Sequence, residues 1–224
     1  MKKNIYPLSA LVSVGLLAGS YWHIVPFSLL EMAGFITGAY CVWLAVIENI
    51  WNWPIGIVNA VAFTTLFLES KLYADAGLQI IYIILGFAGW YWWLKGGRNK
   101  SKLKVTHISV REAVILLALG TVVSIGFVRF LASVGDGAPL LDGVTTVSSL
   151  IAQYMLTRKY LENWYVWIAT DIVYIGLYSF KHLVLTAVLY LIFMTMCIIG
   201  VRDWKKHLSN RTTERELVLE TTEA

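Results

Sequence analysis

Hydrophobic runs with few charges, parted by short polar breaks, occupy most of this chain. The runs fall near residues 5–25, 28–46, 54–68, 73–94, 113–132, 140–156, 164–180 and 183–201. A helix crosses a bilayer with about 20 apolar residues, so the pattern predicts an all-α integral membrane protein of eight transmembrane spans. The first run follows Met1-Lys2-Lys3 and begins like a signal peptide. Its apolar stretch is long, however, and Tyr21-Trp22-His23 stands where a small-residue cleavage site is required, so it is read as a retained helix.

The pattern is also written twice. Asn52/Asn163, Trp53/Trp164, Ile57/Ile168, Gly89/Gly200, Trp93/Trp204 and Lys95/Lys206 recur at a constant offset of 111 residues. Phe63/Tyr174 and Phe67/Tyr178 keep aromatic character at the same offset. Two three-helix blocks joined by one helix face the same way across the membrane, which gives a parallel tandem repeat in a 3+1+3 arrangement with one extra N-terminal helix. The chain divides accordingly into an N-terminal transmembrane helix (1–27), a first three-helix repeat (28–95), a basic loop and linker helix (96–139), a second repeat (140–206) and a cytoplasmic tail (207–224), expected as a short helix or coil. Two similar halves rocking around a shared cavity are a common way to build a transporter.

Composition identifies the solvent. The chain is 58% hydrophobic and 14% charged, with mean hydropathy +0.67, against about 45–50% and about 25% in soluble domains. Lipid therefore surrounds most of it, and eight spans leave no room in 224 residues for a separate catalytic domain. The net charge of +4 matters through its placement. With the N-terminus cytoplasmic, all of the 18 lysines and arginines but Lys71, Lys181 and Arg129 fall on the inner face. An odd number of spans would strand either Lys2-Lys3 or the Arg202–Lys206 cluster outside, so both termini are placed inside. Cys41 and Cys197 lie within apolar spans and read as packing residues rather than a disulfide or metal pair.

Candidate chemistry concentrates in the third, fourth and seventh spans. The third and seventh are short and occupy matching positions in the repeat, a pointer to a transporter's binding site. Asn59 stands near the middle of one, Thr170 and Asp171 near the middle of the other. Trp164, Trp167, Asp171, Tyr174 and Tyr178 follow spacings of three, four, three and four, so they share one helical face. A carboxylate at mid-membrane costs about 2.5–3.5 kcal/mol on insertion scales and must face the bundle interior. Two readings follow: an acid bonded to a neighbouring helix among volume-filling aromatics, or a box for a flat cationic ligand, in which each ring contributes about 0.5–2 kcal/mol. Asp75, Gln79, Tyr82, Gly86 and Gly89 form a similar stripe on the fourth span, where Gln79 and Tyr82 suit ligand hydroxyls or a carboxamide. Interhelical bonding is the alternative for both, and close helix packing accounts for the glycines.

Other polar and aromatic positions read more plainly. Trp90, Trp92, Trp93 and Trp204 are expected in an interfacial aromatic belt, Glu48 at a wet helix end, and Gln153 with Ser148-Ser149 as interhelical glue, with contact to the cavity as the alternative. The four histidines show no metal spacing, and no cofactor or metal site is expected. There is no G-x-x-x-x-G-K-[ST] loop, G-x-S-x-G elbow or H-E-x-x-H helix, so an ATP-driven pump and a recognisable hydrolase are disfavoured, and no catalytic residues are assigned. The basic loop reads as positive-inside charge, not as a nucleic-acid site.

Lys71-Leu72-Tyr73-Ala74 with Leu78-Gln79, Gly89-Trp90-Tyr91-Trp92, and above all Thr157-Arg158-Lys159-Tyr160-Leu161-Glu162-Asn163-Trp164 with Trp167, resemble the PnuC nicotinamide riboside transporters of bacteria. The likeness spans roughly Glu31 to Lys206. It implies a 3+1+3 fold related to the SWEET sugar transporters, in a bacterial inner membrane, and facilitated diffusion (uniport) of a vitamin trapped inside by a cytoplasmic kinase. It also implies substrate binding by Trp164, Trp167 and Asp171, by Gln79 and by Asn59; the helical stripes read above add Tyr82 and Tyr174 to the candidate substrate site. Trimers occur among such relatives. The chain departs from the family at Asp171, where riboside transporters often carry Asn; thiamine carriers share the scaffold and also take a cationic ring. A receptor without flux is the remaining alternative.

Overall fold

The structure, a computed structural model, describes residues 17–18, 21–22, 29–69, 73–135, 137–180 and 184–223. The predicted first span lies almost wholly outside the described residues. Within them the chain is helical, with no strand beyond a single bridge between Thr106 and Tyr160. Seven α-helices follow one another: α1 (Leu29–Val46), α2 (Asn52–Glu69), α3 (Tyr73–Lys95), α4 (Val110–Ser133), α5 (Pro139–Thr157), α6 (Asn163–Phe180) and α7 (Val184–Glu223). The tail is therefore no coil: α7 carries straight through it.

The duplication is legible in the helix ends. Both ends of α2 and α6 match at the offset of 111 that also separates Glu48 from Lys159, as do the start of α3 with that of α7 and the end of α1 with that of α5. Contacts are reciprocal too. Within each half α2 packs on α3 and α6 on α7; between halves α1 meets α7 and α3 meets α5. Glycines admit the closest approaches: a Cβ on Gly89 would stand 2.3 Å from the Trp53 ring, and one on Gly200 would stand 2.6 Å from Trp164.

Among the described residues, three helices contain segments long and apolar enough to cross a membrane by themselves: Asp75–Lys95, Val110–Ser133 and Ala187–Asn210. At 18 residues, α2 and α6 measure about 27 Å at 1.5 Å per residue. They fall short on hydropathy because of the polar and amphipathic side chains they carry, among them Asn52 and Asn59 in α2 and Asn163, Thr170 and Asp171 in α6. α4 is exposed along most of its length, with Leu117 72% and Val122 68% accessible, as a helix bathed in lipid would be.

The core sits at the end of the bundle where Lys95, Arg158 and Lys205 cluster. Trp53, Trp93, Trp204 and Trp164 form a chain of rings there, with centroids 5.4, 6.3 and 5.3 Å apart and edge-on geometry at both ends. Edge-to-face pairs contribute about 0.5–1.5 kcal/mol each beyond area burial. Each half donates to the other: Trp93 Nε1 bonds the Leu156 carbonyl and Trp204 Nε1 the Val46 carbonyl, both at 3.1 Å. Trp93 and Trp204 are 3% and 0% exposed, so the interfacial belt expected for them is corrected. Their indole N–H groups satisfy carbonyls at helix ends, which turns an interfacial residue into a core one.

The stretch 158–164 ties the basic loop to this core. Tyr154 and Tyr160 donate to Glu112 at the start of α4, and Glu162 accepts the Ile108 N–H. The Thr106 N–H bonds the Lys159 carbonyl and the Leu161 N–H bonds the Thr106 carbonyl across the turn.

Candidate substrate cavity

Directly above the tryptophan core lies a cavity of about 370 Å³. Asn59, Gln79, Tyr82, Trp164, Trp167, Asp171 and Tyr174 all line it, so the seven residues assigned to substrate come to one place, while Asp75, Thr170 and Tyr178 of the same stripes are not part of its lining. They arrive from α2, α3 and α6, each with its polar face turned to the bundle interior.

Their states differ. Asp171 is 4% exposed, its Oδ2 lying 3.8 Å from Cys197 Sγ, and among the described residues no salt bridge reaches it. Tyr82 shares a 2.7 Å hydrogen bond with Ser149. Asn59 Nδ2 donates to Thr37 Oγ1 (2.6 Å) and the Gly34 carbonyl (3.0 Å), which fastens α2 to α1, and its carbonyl oxygen has no hydrogen bond among the described residues. Asn59 also borders a second, almost wholly apolar hollow of about 430 Å³ between α1 and α2. Trp164 is 2% exposed, packed on Trp204 and Gly200, and forms the floor; Trp167 is half-buried at the wall. Four buried polar atoms at the floor have no partner among the described residues: Trp53 Nε1, Trp164 Nε1, Asn52 Oδ1 and Asn163 Oδ1, two equivalent pairs.

Several lining residues were missed as site residues. Tyr190 stacks on Tyr174 (4.5 Å) and Tyr178 (5.4 Å), and Phe193 meets Tyr190 edge-on. The signal existed: the offset of 111 carries Gln79 onto Tyr190 and Tyr82 onto Phe193. Ser149 and Gln153, expected as interhelical glue, face the cavity, as do the two free cysteines, Cys41 and Cys197. Glu48, expected to be wet, is 16% exposed at its side chain and paired with Lys159. Burial opposes ionisation of Glu48, but the charge and hydrogen bond of Lys159, with His207 in support, hold its carboxyl below the ordinary value of 4.5.

A bundle with a polar, aromatic-walled chamber between two copies of one helical motif is the architecture of a multi-pass membrane transporter. The chain belongs to the nicotinamide mononucleotide transporter family, whose model matches residues 28–206. It is 28% identical over 221 residues to the nicotinamide riboside transporter PnuC of Escherichia coli, covering 87% of this chain and 90% of that one. It is 27% identical over 180 residues to the riboflavin/roseoflavin transporter RibM of Streptomyces davaonensis, covering 78% and 83%. The crystal structure of the vitamin B3 transporter PnuC superposes with a TM-score of 0.67 at 24% identity, over 91% of this chain and 92% of that one, which shows a shared fold.

Proposed function

We propose that the chain transports nicotinamide riboside, and that Asp171 is the residue that makes the cavity fit a cationic ring. The observation carrying this reading is a buried carboxylate without a basic partner among the described residues, on an aromatic wall, in a chain whose relatives include nicotinamide riboside transporters. The pyridinium lies against Trp167 over the Trp164 floor, with Tyr174 beside it and Asp171 supplying the counter-charge. Gln79, Tyr82 and the side-chain oxygen of Asn59 meet the ribose or carboxamide.

The helices span a bacterial inner membrane as two triplets, 28–95 and 140–206, about the linking helix of 96–139, with both termini cytoplasmic. Paired helix ends and the lysine and arginine distribution support that arrangement. Transport is uniport by alternating access, drawn inward by phosphorylation of the product, and the protein is a trimer without catalysis of its own.

Thermal-shift and calorimetric titration of the purified protein with nicotinamide riboside, thiamine and riboflavin tests the substrate. A shift with the riboside well above the other two is expected. Riboflavin, which the RibM relative makes the specific rival, or thiamine shifting most would reassign the vitamin. Counterflow in proteoliposomes separates a carrier from a receptor without flux.

A further inference from the structure

We propose that Glu48 and Lys159 form the latch that holds the cavity shut at its basic end, and that their separation is a step in substrate release. The inference deepens the transport reading above and rests on it.

Glu48 Oε2 and Lys159 Nζ meet at 2.7 Å, with side chains 16% and 7% exposed. The two residues are the same position of the two repeats, so the pair spans the pseudo-twofold axis and joins the turn after α1 to the turn after α5. Both turns are Schellman motifs. Asn49 N–H bonds the Leu44 carbonyl and Glu48 N–H that of Ala45; Tyr160 and Lys159 N–H bond Met155 and Leu156 in the same way. The fifth position of such a motif is left-handed and favours glycine, yet here it carries Glu48 at φ 54° and Lys159 at φ 55°. Charged side chains at both strained positions, directed at each other, have a purpose other than turning the chain.

The layering supplies that purpose. Lys159 Nζ stands 4.2 Å from the centroid of the Trp93 ring, Trp93 and Trp204 lie between the pair and the cavity floor, and Trp53 and Trp164 belong to that floor. The route from the cavity to the basic face runs through this stack. A second contact, His207 Nδ1 to Glu48 Oε1 at 2.5 Å, anchors α7 to the turn after α1, so parting Glu48 from Lys159 separates that turn, with α7, from the turn after α5.

Cys41 lines the cavity and reports its accessibility. The full-length protein in sided vesicles is treated with a membrane-impermeant thiol reagent on one face at a time, and labelling is read separately for Cys41 and Cys197 by mass spectrometry. In Glu48→Gln and Lys159→Met, Cys41 labelling from the basic face should rise at least about fivefold, the low end of typical couplings between two states. Labelling from the opposite face should fall. The double exchange Glu48→Lys with Lys159→Glu, which swaps side chains between equivalent backbone positions, should return both rates toward the parent. Unchanged rates in both single variants overturn the latch, as does a double exchange that labels as fast as the singles. Should the singles label equally from both faces, as a loosened bundle does, the double exchange decides by the same criterion. Riboside titration of the parent protein is independent of these rates, so failure of the latch is distinct from failure of the substrate assignment.

Discussion

Replacing Asp171 with Asn removes a charge while keeping nearly the same shape and the capacity to accept a hydrogen bond. The side chain is 4% exposed, and no salt bridge reaches it among the described residues, so a bound cation is the countercharge the cavity can offer it. Two unit charges about 5 Å apart at an effective dielectric near 20 attract by about 3 kcal/mol. Removing hydration from the pyridinium offsets part of this, leaving a net of about 1–2 kcal/mol. Affinity for nicotinamide riboside should therefore fall about 5- to 30-fold. The reduced riboside, whose dihydropyridine ring is uncharged, provides the control. Its affinity should change little, so the ratio of oxidised to reduced binding collapses in Asp171→Asn. Calorimetric titration of both ligands against both proteins reads that ratio directly. Equal losses for the two ligands would mean that Asp171 shapes the wall without balancing charge, and the electrostatic reasoning would fail.

Gly89→Ala places a methyl group 2.3 Å from the Trp53 ring, and the forced repacking should cost about 1–3 kcal/mol, read as a lower melting temperature. Trp204→Phe keeps a ring in the core but deprives the Val46 carbonyl of its donor, which should destabilise by about 1–3 kcal/mol in the same assay. Glu48 has a depressed folded-state pKa, so its stabilisation is fully present above the ordinary value of 4.5 and is lost as pH falls through the lower folded-state value. The melting difference between parent and Glu48→Gln should accordingly be largest above that value and shrink below it. A difference that grows on acidification would refute the pairing.

The fold and the cavity were legible in the sequence to unequal degrees. The repeat announced itself through residues with tight local demands, namely Trp53 against Gly89 and Trp164 against Gly200. The cavity residues were legible because polar groups in an apolar run must turn inward. What escaped notice was partnership across the chain. Glu48 looked wet because its partner lies 111 residues away, and hydropathy carries no information about such pairs. Trp93 and Trp204 looked interfacial because their acceptors, the Leu156 and Val46 carbonyls, belong to the opposite half. Tyr190 and Phe193 sit in a run without polar marks, and only translating Gln79 and Tyr82 by the repeat distance would have found them.

Twofold scaffolding does not make a twofold chamber. The position of Asp171 is filled in the other copy by Ala60, equally buried at 4% and facing the same space, and the position of Trp167 by Gly56. One side of the room is therefore acidic and aromatic, while the other offers the neutral polar groups of Asn59, Gln79 and Tyr82. If the riboside binds as proposed above, its charged head and neutral sugar have one comfortable way to sit, and it travels in the same pose whether entering or leaving.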